Sequence, residues 1–267
     1  MIFSCRRNLD RFMHKRYPAD MIRILAVTAH PDDEAGAFGG SLLLYNSLGV
    51  ETYVICLTEG QAATNRGTAK SDGELGMLRR AEFEASCRLL RVTGAEMLKY
   101  PDGALDRVNL LTVVADLTRR VRKIKPHVIL TMGPEGAITG HVDHAMASVF
   151  ATMAFHWAAR KDRYPEQLAE GLEPHRARKL YYSTASLVLP DRPPVSPPPC
   201  TTTIDISQFL ERKIEAFRQH ITQAPLMERF EKSMRRFGSK ELYHLAAVSE
   251  PTDLAPETDL LHGISSG

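Results

Sequence analysis

The chain has little of most features that would mark a specialised class. Its four cysteines, Cys5, Cys56, Cys87 and Cys200, form no C-x-x-C pair and show no spacing that suggests a disulfide framework. That pattern favours a reducing compartment, hence the cytoplasm. No segment holds the roughly 18 uninterrupted apolar residues that a membrane helix needs. Basic and acidic residues nearly cancel, 34 against 32, which gives no reason to expect nucleic acid or an anionic membrane as partner. The basic residues 1–20 lack a continuous apolar run, so they do not read as a secretory signal. They are expected to be a flexible extension. No internal repeat is present.

What is there is an ordinary globular composition, 43% hydrophobic and 25% charged over 267 residues, which suits one large domain over residues 21–249. From Ile22 the pattern becomes regular. Apolar runs at Ile22–Thr28, Val50–Thr58, Ala95–Tyr100, His127–Met132 and Lys179–Ser183 read as strands. Helical spacing covers Ser41–Leu48, about Glu74–Arg91, Leu110–Ile124, His141–Ala159, Ile206–His220 and Pro225–Phe237. Strands alternating with helices of this length imply parallel βαβ units and a doubly wound, mostly parallel, Rossmann-like α/β sheet flanked by helices. Asp191–Thr203 carries five prolines, so residues 190–203 are expected to be an extended loop. The polar stretch 250–267 is expected to be a flexible tail.

Ligands of such sheets bind beyond the carboxyl ends of the strands, and the polar clusters of this sequence follow those ends. His30-Pro31-Asp32-Asp33-Glu34 follows the first strand, Glu59–Arg66 the second, Pro101-Asp102-Gly103 the third and Gly133–His144 the fourth. One acid after a strand would be explained by helix capping. Three acids beside a histidine need more, because charges near a core are costly unless a cation or hydrogen bonds compensate them. His141 and His144, three apart, share a helix face. One imidazole and one carboxylate of the first cluster, with one imidazole of the second, make a two-histidine, one-carboxylate set with room for water. That set suits catalytic zinc and also ferrous iron.

The sequence A-H-P-D-D-E after the first strand, with H-V-D-H further on, resembles the LmbE/PIG-L family of metal-dependent N-acetylglucosaminyl deacetylases. The resemblance spans most of Met21–Tyr182 and includes Thr58-x-Gly60, Arg66-Gly67, Leu75–Ala85 and Pro101-Asp102-Gly103. It implies an LmbE-like fold and a hydrolase that removes the acetyl group from a small N-acetylated sugar or glycoconjugate. It implies Zn2+, with Fe2+ or another divalent ion as alternatives, held by His30, Asp33 and His144. Adjacent carboxylates cannot face a cation identically, so one binds while the other reaches the attacking water. The resemblance makes Asp32 that general base. It gives the oxyanion to the metal and His141, the leaving amine's proton to Asp32 or a protonated His141, and the orienting of His141 or a ligand histidine to Asp143. Arg66 and Asp102 match positions that contact the sugar. Arg79 and Glu82, three apart on a helix, are expected to form a structural ion pair, and His127, His156 and Trp157 to serve packing.

Two positions depart from the family pattern. Val142 stands where proline is common, and Thr139 where a mycothiol-pathway member carries a tyrosine that assists the transition state; threonine reaches less far. Alternatives remain: an amidase that cleaves a larger acyl group from a sugar amine, a nucleotide-binding α/β protein, and a non-catalytic metal- or sugar-binding protein. Gly36, Gly39 and Gly40 are not in G-x-G-x-x-G order and stand among carboxylates that would repel phosphate. A non-catalytic protein would leave Asp32 with nothing but capping to do. Oligomeric state, a homo-oligomer included, is left open.

Overall fold

Strand β1 (Arg23–Thr28) is buried along its whole length, and its alternation divides the core in two. Ile24 and Ala26 face one hydrophobic cluster, Leu25 and Val27 the other. A strand buried on both faces reads as a continuous apolar run, as here, and belongs inside a parallel sheet. The computed structural model describes residues 21–185, 194–251 and 255–264. Its further elements are α1 (Asp33–Ser47), β2 (Glu51–Thr58), α2 (Asp72–Leu89), β3 (Gly94–Tyr100), α3 (Leu110–Ile124), β4 (Val128–Thr131), α4 (Val142–Trp157), the short α5 (Pro165–Ala169), β5 (Lys179–Thr184), β6 (Thr202–Asp205), α6 (Leu210–Arg218), α7 (Ala224–Phe237) and β7 (Lys240–Val248).

The seven strands form one sheet in the order β3-β2-β1-β4-β5-β7-β6. Strands β1 to β5 are parallel, while β7 runs antiparallel to both β5 and β6. Residues of α1, α2 and α6 pack on one face, including Phe38, Leu42, Phe83 and Phe217, and residues of α3 and α4 on the other, including Val114, Leu117 and Phe150. The chain leaves β1 toward β2 on one side and reaches β4 on the other. The crevice beyond the carboxyl ends of β1 and β4 is therefore the topological switch point, the usual ligand position of such sheets.

The expected doubly wound sheet is present, with several corrections. Helix α1 begins at Asp33 rather than Ser41, so Asp33 and Glu34 lie in its first turn. Its buried residues run round much of the helix, from Asp33, Glu34, Ala35 and Phe38 to Tyr45, leaving no clear apolar stripe to read. The antiparallel pair β6 and β7 was not foreseen. The stretch 194–201 lacks regular structure as expected, but Thr202 and Thr203 already belong to β6; residues 186–193 lie outside the described residues, as do 1–20. Within the supposed tail, most of residues 255–264 are exposed, but Glu257 and Leu260 are held against the sheet and α1. Glu257 bridges to Thr202 and takes hydrogen bonds from Lys179 Nζ (2.6 Å) and Tyr181 Oη (2.5 Å), and Leu260 is fully buried. One apolar side chain with a place in the core outweighs a polar composition. Residues 252–254 and 265–267 lie outside the described residues. His127 accepts the Arg23 N–H at 3.2 Å, a structural part as expected, whereas His156 is exposed.

Strand β7 is tied to α1 by a buried polar knot. Glu241 accepts the backbone N–H groups of Gly40 and Ser41 at 2.8 Å each, the Lys213 ammonium at 2.6 Å and the Tyr243 hydroxyl at 2.9 Å. A side chain at Gly40 would place its Cβ 2.7 Å from Ile206 Cβ and Cγ1, and Ile206 is itself fully buried. Gly40→Ala gains about 1 kcal/mol of helix propensity against an overpacking cost of about 1–3 kcal/mol. The expected outcome is a Tm lowered by a few degrees in a thermal melt, while Gly36→Ala, whose Cβ would have 3.8 Å of room, leaves it level or higher. An unchanged melt for Gly40→Ala would contradict this packing.

Candidate active site

The turn between β1 and α1 positions the first group of functional side chains. Asp32 takes a left-handed conformation, φ 110°, costly for a residue with a Cβ by about 1–3 kcal/mol. Three contacts hold it there. Its backbone N–H donates to Glu34 Oε2 at 2.9 Å, Arg79 Nη2 reaches its Oδ2 at 2.9 Å, and the same nitrogen donates to the Pro31 carbonyl at 2.5 Å. Arg79 is buried, and its Nη1 donates to the carbonyl of Gly60 at 3.1 Å. The expected Arg79–Glu82 pair is absent. Glu82 instead accepts the backbone N–H and hydroxyl of Thr222 at 2.8 and 2.7 Å. Two residues three apart on one helix thus serve different neighbours, one the β1 turn and the other the segment after α6.

His30, Asp33 and His144 converge in the crevice. His30 Nδ1 lies 3.3 Å from His144 Nε2 and 3.6 Å from Asp33 Oδ2, and His144 Nε2 lies 3.2 Å from Asp33 Oδ1. Ligand atoms about 2.1 Å from a tetrahedral cation stand about 3.4 Å apart, which matches these spacings. The outer nitrogens of both rings are engaged in the way that frees the inner ones. His30 Nε2 is 3.2 Å from both Asp102 Oδ1 and Asp143 Oδ2, and His144 Nδ1 is 3.2 Å from the Gly136 carbonyl and from Thr139 Oγ1. With those nitrogens donating, Nδ1 of His30 and Nε2 of His144 turn lone pairs toward Asp33, the arrangement of imidazole metal ligands braced from outside. The donor set therefore fits a divalent cation.

The acids of the crevice favour positive charge there, whether a proton on His30 or a cation that displaces it. Burial pulls the His30 imidazole down, but its hydrogen bonds to Asp102, Asp143 and Asp33 outweigh this and hold its pKa well above the usual 6.5. Asp33 is pushed up by burial yet held well below the ordinary carboxylate range by His144 and His30. Asp32 is different. Burial raises it, Arg79 draws it back, Asp33 adds repulsion, and it settles at about 6. Asp102 and Asp143 are lowered: burial opposes, and the bond to His30 and backbone N–H groups prevail. Asp143 accepts the N–H groups of Gly103 (2.7 Å) and Leu105 (3.0 Å), and Asp102 that of Ala62 (2.8 Å).

His141 caps α4, with Nδ1 accepting the N–H of Asp143 at 3.1 Å. Burial, then the charges of His30 and His144, lower its pKa. A neutral ring whose Nδ1 accepts must carry its proton on Nε2. Its centroid lies 4.8 Å from that of His30. Asp143 thus engages both a ligand histidine and, through its backbone, His141. His30, His141 and Asp143 form a second group of potential ligands, sharing His30 with the first. Arg66 is not drawn into the cluster: it pairs with Asp72 at 2.7 Å, partly exposed. Sequence reasoning missed the service of Arg79 to Asp32, and missed His220 altogether. Arg79 lay within the recognisable Leu75–Ala85 run, but His220 sits some 190 residues from its partner with no motif around it.

A doubly wound sheet with two histidines and a carboxylate at its switch point, and a further carboxylate poised beside them, defines a metal-dependent hydrolase of amide bonds. Residues 25–155 match the family model described as "PIG-L: GlcNAc-PI de-N-acetylase", and this part of the chain is a PIG-L (LmbE) family domain. It is 29% identical to 1D-myo-inositol 2-acetamido-2-deoxy-alpha-D-glucopyranoside deacetylase of Acidothermus cellulolyticus, over 91% of this chain and 96% of that protein. It is 28% identical to the mycothiol S-conjugate amidase of Streptomyces coelicolor, with 92% and 98% covered. Among solved structures, the N,N'-diacetylchitobiose deacetylase of Pyrococcus horikoshii superposes with a TM-score of 0.69 at 23% identity, covering 92% of this chain and 94% of the other. A 4-carboxy-2-hydroxymuconate hydratase from Pseudomonas putida has nearly the same fold, TM-score 0.67 at 20% identity, with 88% and 100% covered. The fold alone therefore does not fix the chemistry.

Gly60 offers a test of the site's inner wall. Its φ is +64°, and an added Cβ would meet Arg79 Nη1 at 2.3 Å. Gly60→Ala is expected to push the guanidinium away from Asp32 and lower amide hydrolysis at least about tenfold, with the protein still folded by circular dichroism. Wild-type turnover in a folded Gly60→Ala protein would show that Arg79 does not need this seat.

Proposed function

We propose that this protein removes the N-acetyl group from an N-acetylglucosamine-containing small molecule or glycoconjugate, using a cation held by His30, Asp33 and His144. The observation that carries this reading is Asp32. It lies next to a ligand-like carboxylate but outside the triad, and Arg79 occupies only one of its oxygens. Two histidines and one carboxylate with open positions suit Zn2+, and ferrous iron is the alternative. Lewis-acid polarisation of the amide carbonyl and a lowered pKa for water are what a cation there supplies.

The rest of the reaction falls to the chain. Asp32, with a pKa of about 6, takes a proton from the attacking water through its Oδ1. His141 donates its Nε2 proton as a hydrogen bond to the carbonyl oxygen as negative charge develops there. The C–N bond then breaks, Asp32 returns its proton to the departing nitrogen, and acetic acid and a free amine leave, the acid ionising to acetate in solvent. Asp143 and Asp102 hold His30 in place from behind. Sugar hydroxyls are assigned to Asp102 and Arg66. A carboxylate offers about four acceptor sites and a guanidinium five donors, so each retains capacity beyond its present partners.

The amidase relative supports a second reading, in which the same residues cleave a larger acyl group. The acyl pocket would then be the only part that differs, and comparing release of acetate with release of bulkier acids separates the two. We also propose a cytoplasmic setting, supported by the free thiols of Cys56 and Cys87. No described helix is long and apolar enough to cross a membrane.

Two variants test the division of labour. Asp32→Asn is expected to keep its metal by elemental analysis while deacetylation of N-acetylglucosamine conjugates falls about 10²–10⁴-fold. His144→Ala is expected to lose the metal itself. Asp32→Asn protein with full activity would overturn the assigned base.

A further inference from the structure

Behind Asp32 lies a buried polar pair that the reaction does not touch. Glu34 is fully buried, and its Oε1 sits 2.7 Å from His220 Nε2 and accepts the Ser86 hydroxyl at 2.6 Å. Its other oxygen accepts the backbone N–H of Asp32. Neither side chain of the Glu34–His220 pair has any solvent exposure. Burial lowers the His220 pKa, but Glu34 first and Asp32 further on more than reverse this.

His220 reaches this place from the far end of the chain. It follows α6, whose Phe217 packs 6.1 Å away from it, ring to ring. The next turn is pinned by Glu82, which takes both the N–H and the hydroxyl of Thr222. Two buried acids, Glu34 of α1 and Glu82 of α2, are therefore answered by residues two apart in one C-terminal segment. Among the described residues His220 Nδ1 has no partner, and Nε2 is given to Glu34.

A capping role alone does not need this construction. A helix N-terminus accommodates an acid in its first turn without a buried histidine, and burying an ionisable pair is costly unless its geometry serves something. What Glu34 does with its second oxygen is hold the N–H of a residue in the left-handed region. Of the three contacts that hold this turn it is the one made to the Asp32 N–H itself; without it, the Arg79 bonds to the Asp32 carboxylate and the Pro31 carbonyl are left to oppose relaxation.

We propose that His220 is a positioning residue for the base: its Nε2–H bond orients the Glu34 carboxylate, and Glu34 in turn fixes the strained backbone of Asp32. The proposal rests on the reading of Asp32 as general base. It assigns the C-terminal segment a part in catalysis, although that segment contributes none of the metal ligands.

The experiment compares His220→Ala, His220→Gln and Asp32→Asn as purified, metal-loaded full-length proteins assayed for acetate release. His220→Ala is expected to lower kcat by about 10–100-fold with KM within threefold and metal content unchanged. His220→Gln, whose amide Nε2 can reach Glu34, should recover most of that loss. A general loss of structure would move KM, metal content and Tm together and would not be repaired by glutamine. Wild-type kcat in His220→Ala, equal loss in both His220 variants, or loss of metal would each overturn the proposal. If His220→Ala does not fold, His220→Asn, too short to reach Glu34, takes its place against His220→Gln. An active Asp32→Asn would mark instead the failure of the underlying base assignment, whatever the His220 variants do.

Discussion

Asp32, Asp33, Asp102 and Asp143 meet three imidazoles in the crevice between β1 and β4, and the cost of gathering that much like charge near a core shapes everything around it. The carboxylates are answered by three kinds of partner. Asp33 has the two ring nitrogens, Asp143 the amides of Gly103 and Leu105, Asp102 the amide of Ala62, and Asp32 the Arg79 guanidinium. Only Asp32 is left with a raised pKa. Four identical functional groups in one pocket thus differ in protonation behaviour, since burial raises all four and the bonds and charges around Asp33, Asp102 and Asp143 reverse it while those around Asp32 do not. The proposed separation of ligand, brace and base rests on that difference.

The histidines are sorted by the same means. His30 and His144 donate outward and face inward with lone pairs, while His141 accepts at Nδ1 from its own helix and so keeps a proton on Nε2. A neutral ring in that state can donate to a developing oxyanion without first being charged. The sequence alone suggested a protonated His141 as one source of the leaving group's proton. Its lowered pKa favours Asp32 for that work in the proposed reaction.

Much of this was legible in the residues themselves. The apolar runs of β1, β2, β4 and β5 and the periodicity of α3 marked a parallel sheet, and polar clusters after successive strands marked the rim. What escaped did so for physical reasons. Helix α1 is buried around most of its circumference, so no stripe announced its first two turns. Strand β7 (KELYHLAAV) places Glu241 and Tyr243 inward beside Leu245, and an acid at a buried strand position reads as exposed until Lys213 and the α1 amides are known. Arg79 and Glu82 showed the spacing of an ion pair, and only tertiary neighbours could divide them. His220 had no local signal at all, since its meaning lies in a residue some 190 positions away.

The stretch near the carboxyl end bears on how the core is completed. Glu257 joins β5 and β6 through Lys179, Tyr181 and Thr202, and the Leu260 N–H donates to the Tyr45 hydroxyl of α1 at 2.6 Å. The residues assigned to the metal all precede position 150, yet Leu260, more than a hundred residues further on, packs in the cluster that covers α1, so the core on that face is completed by residues remote in sequence from the site.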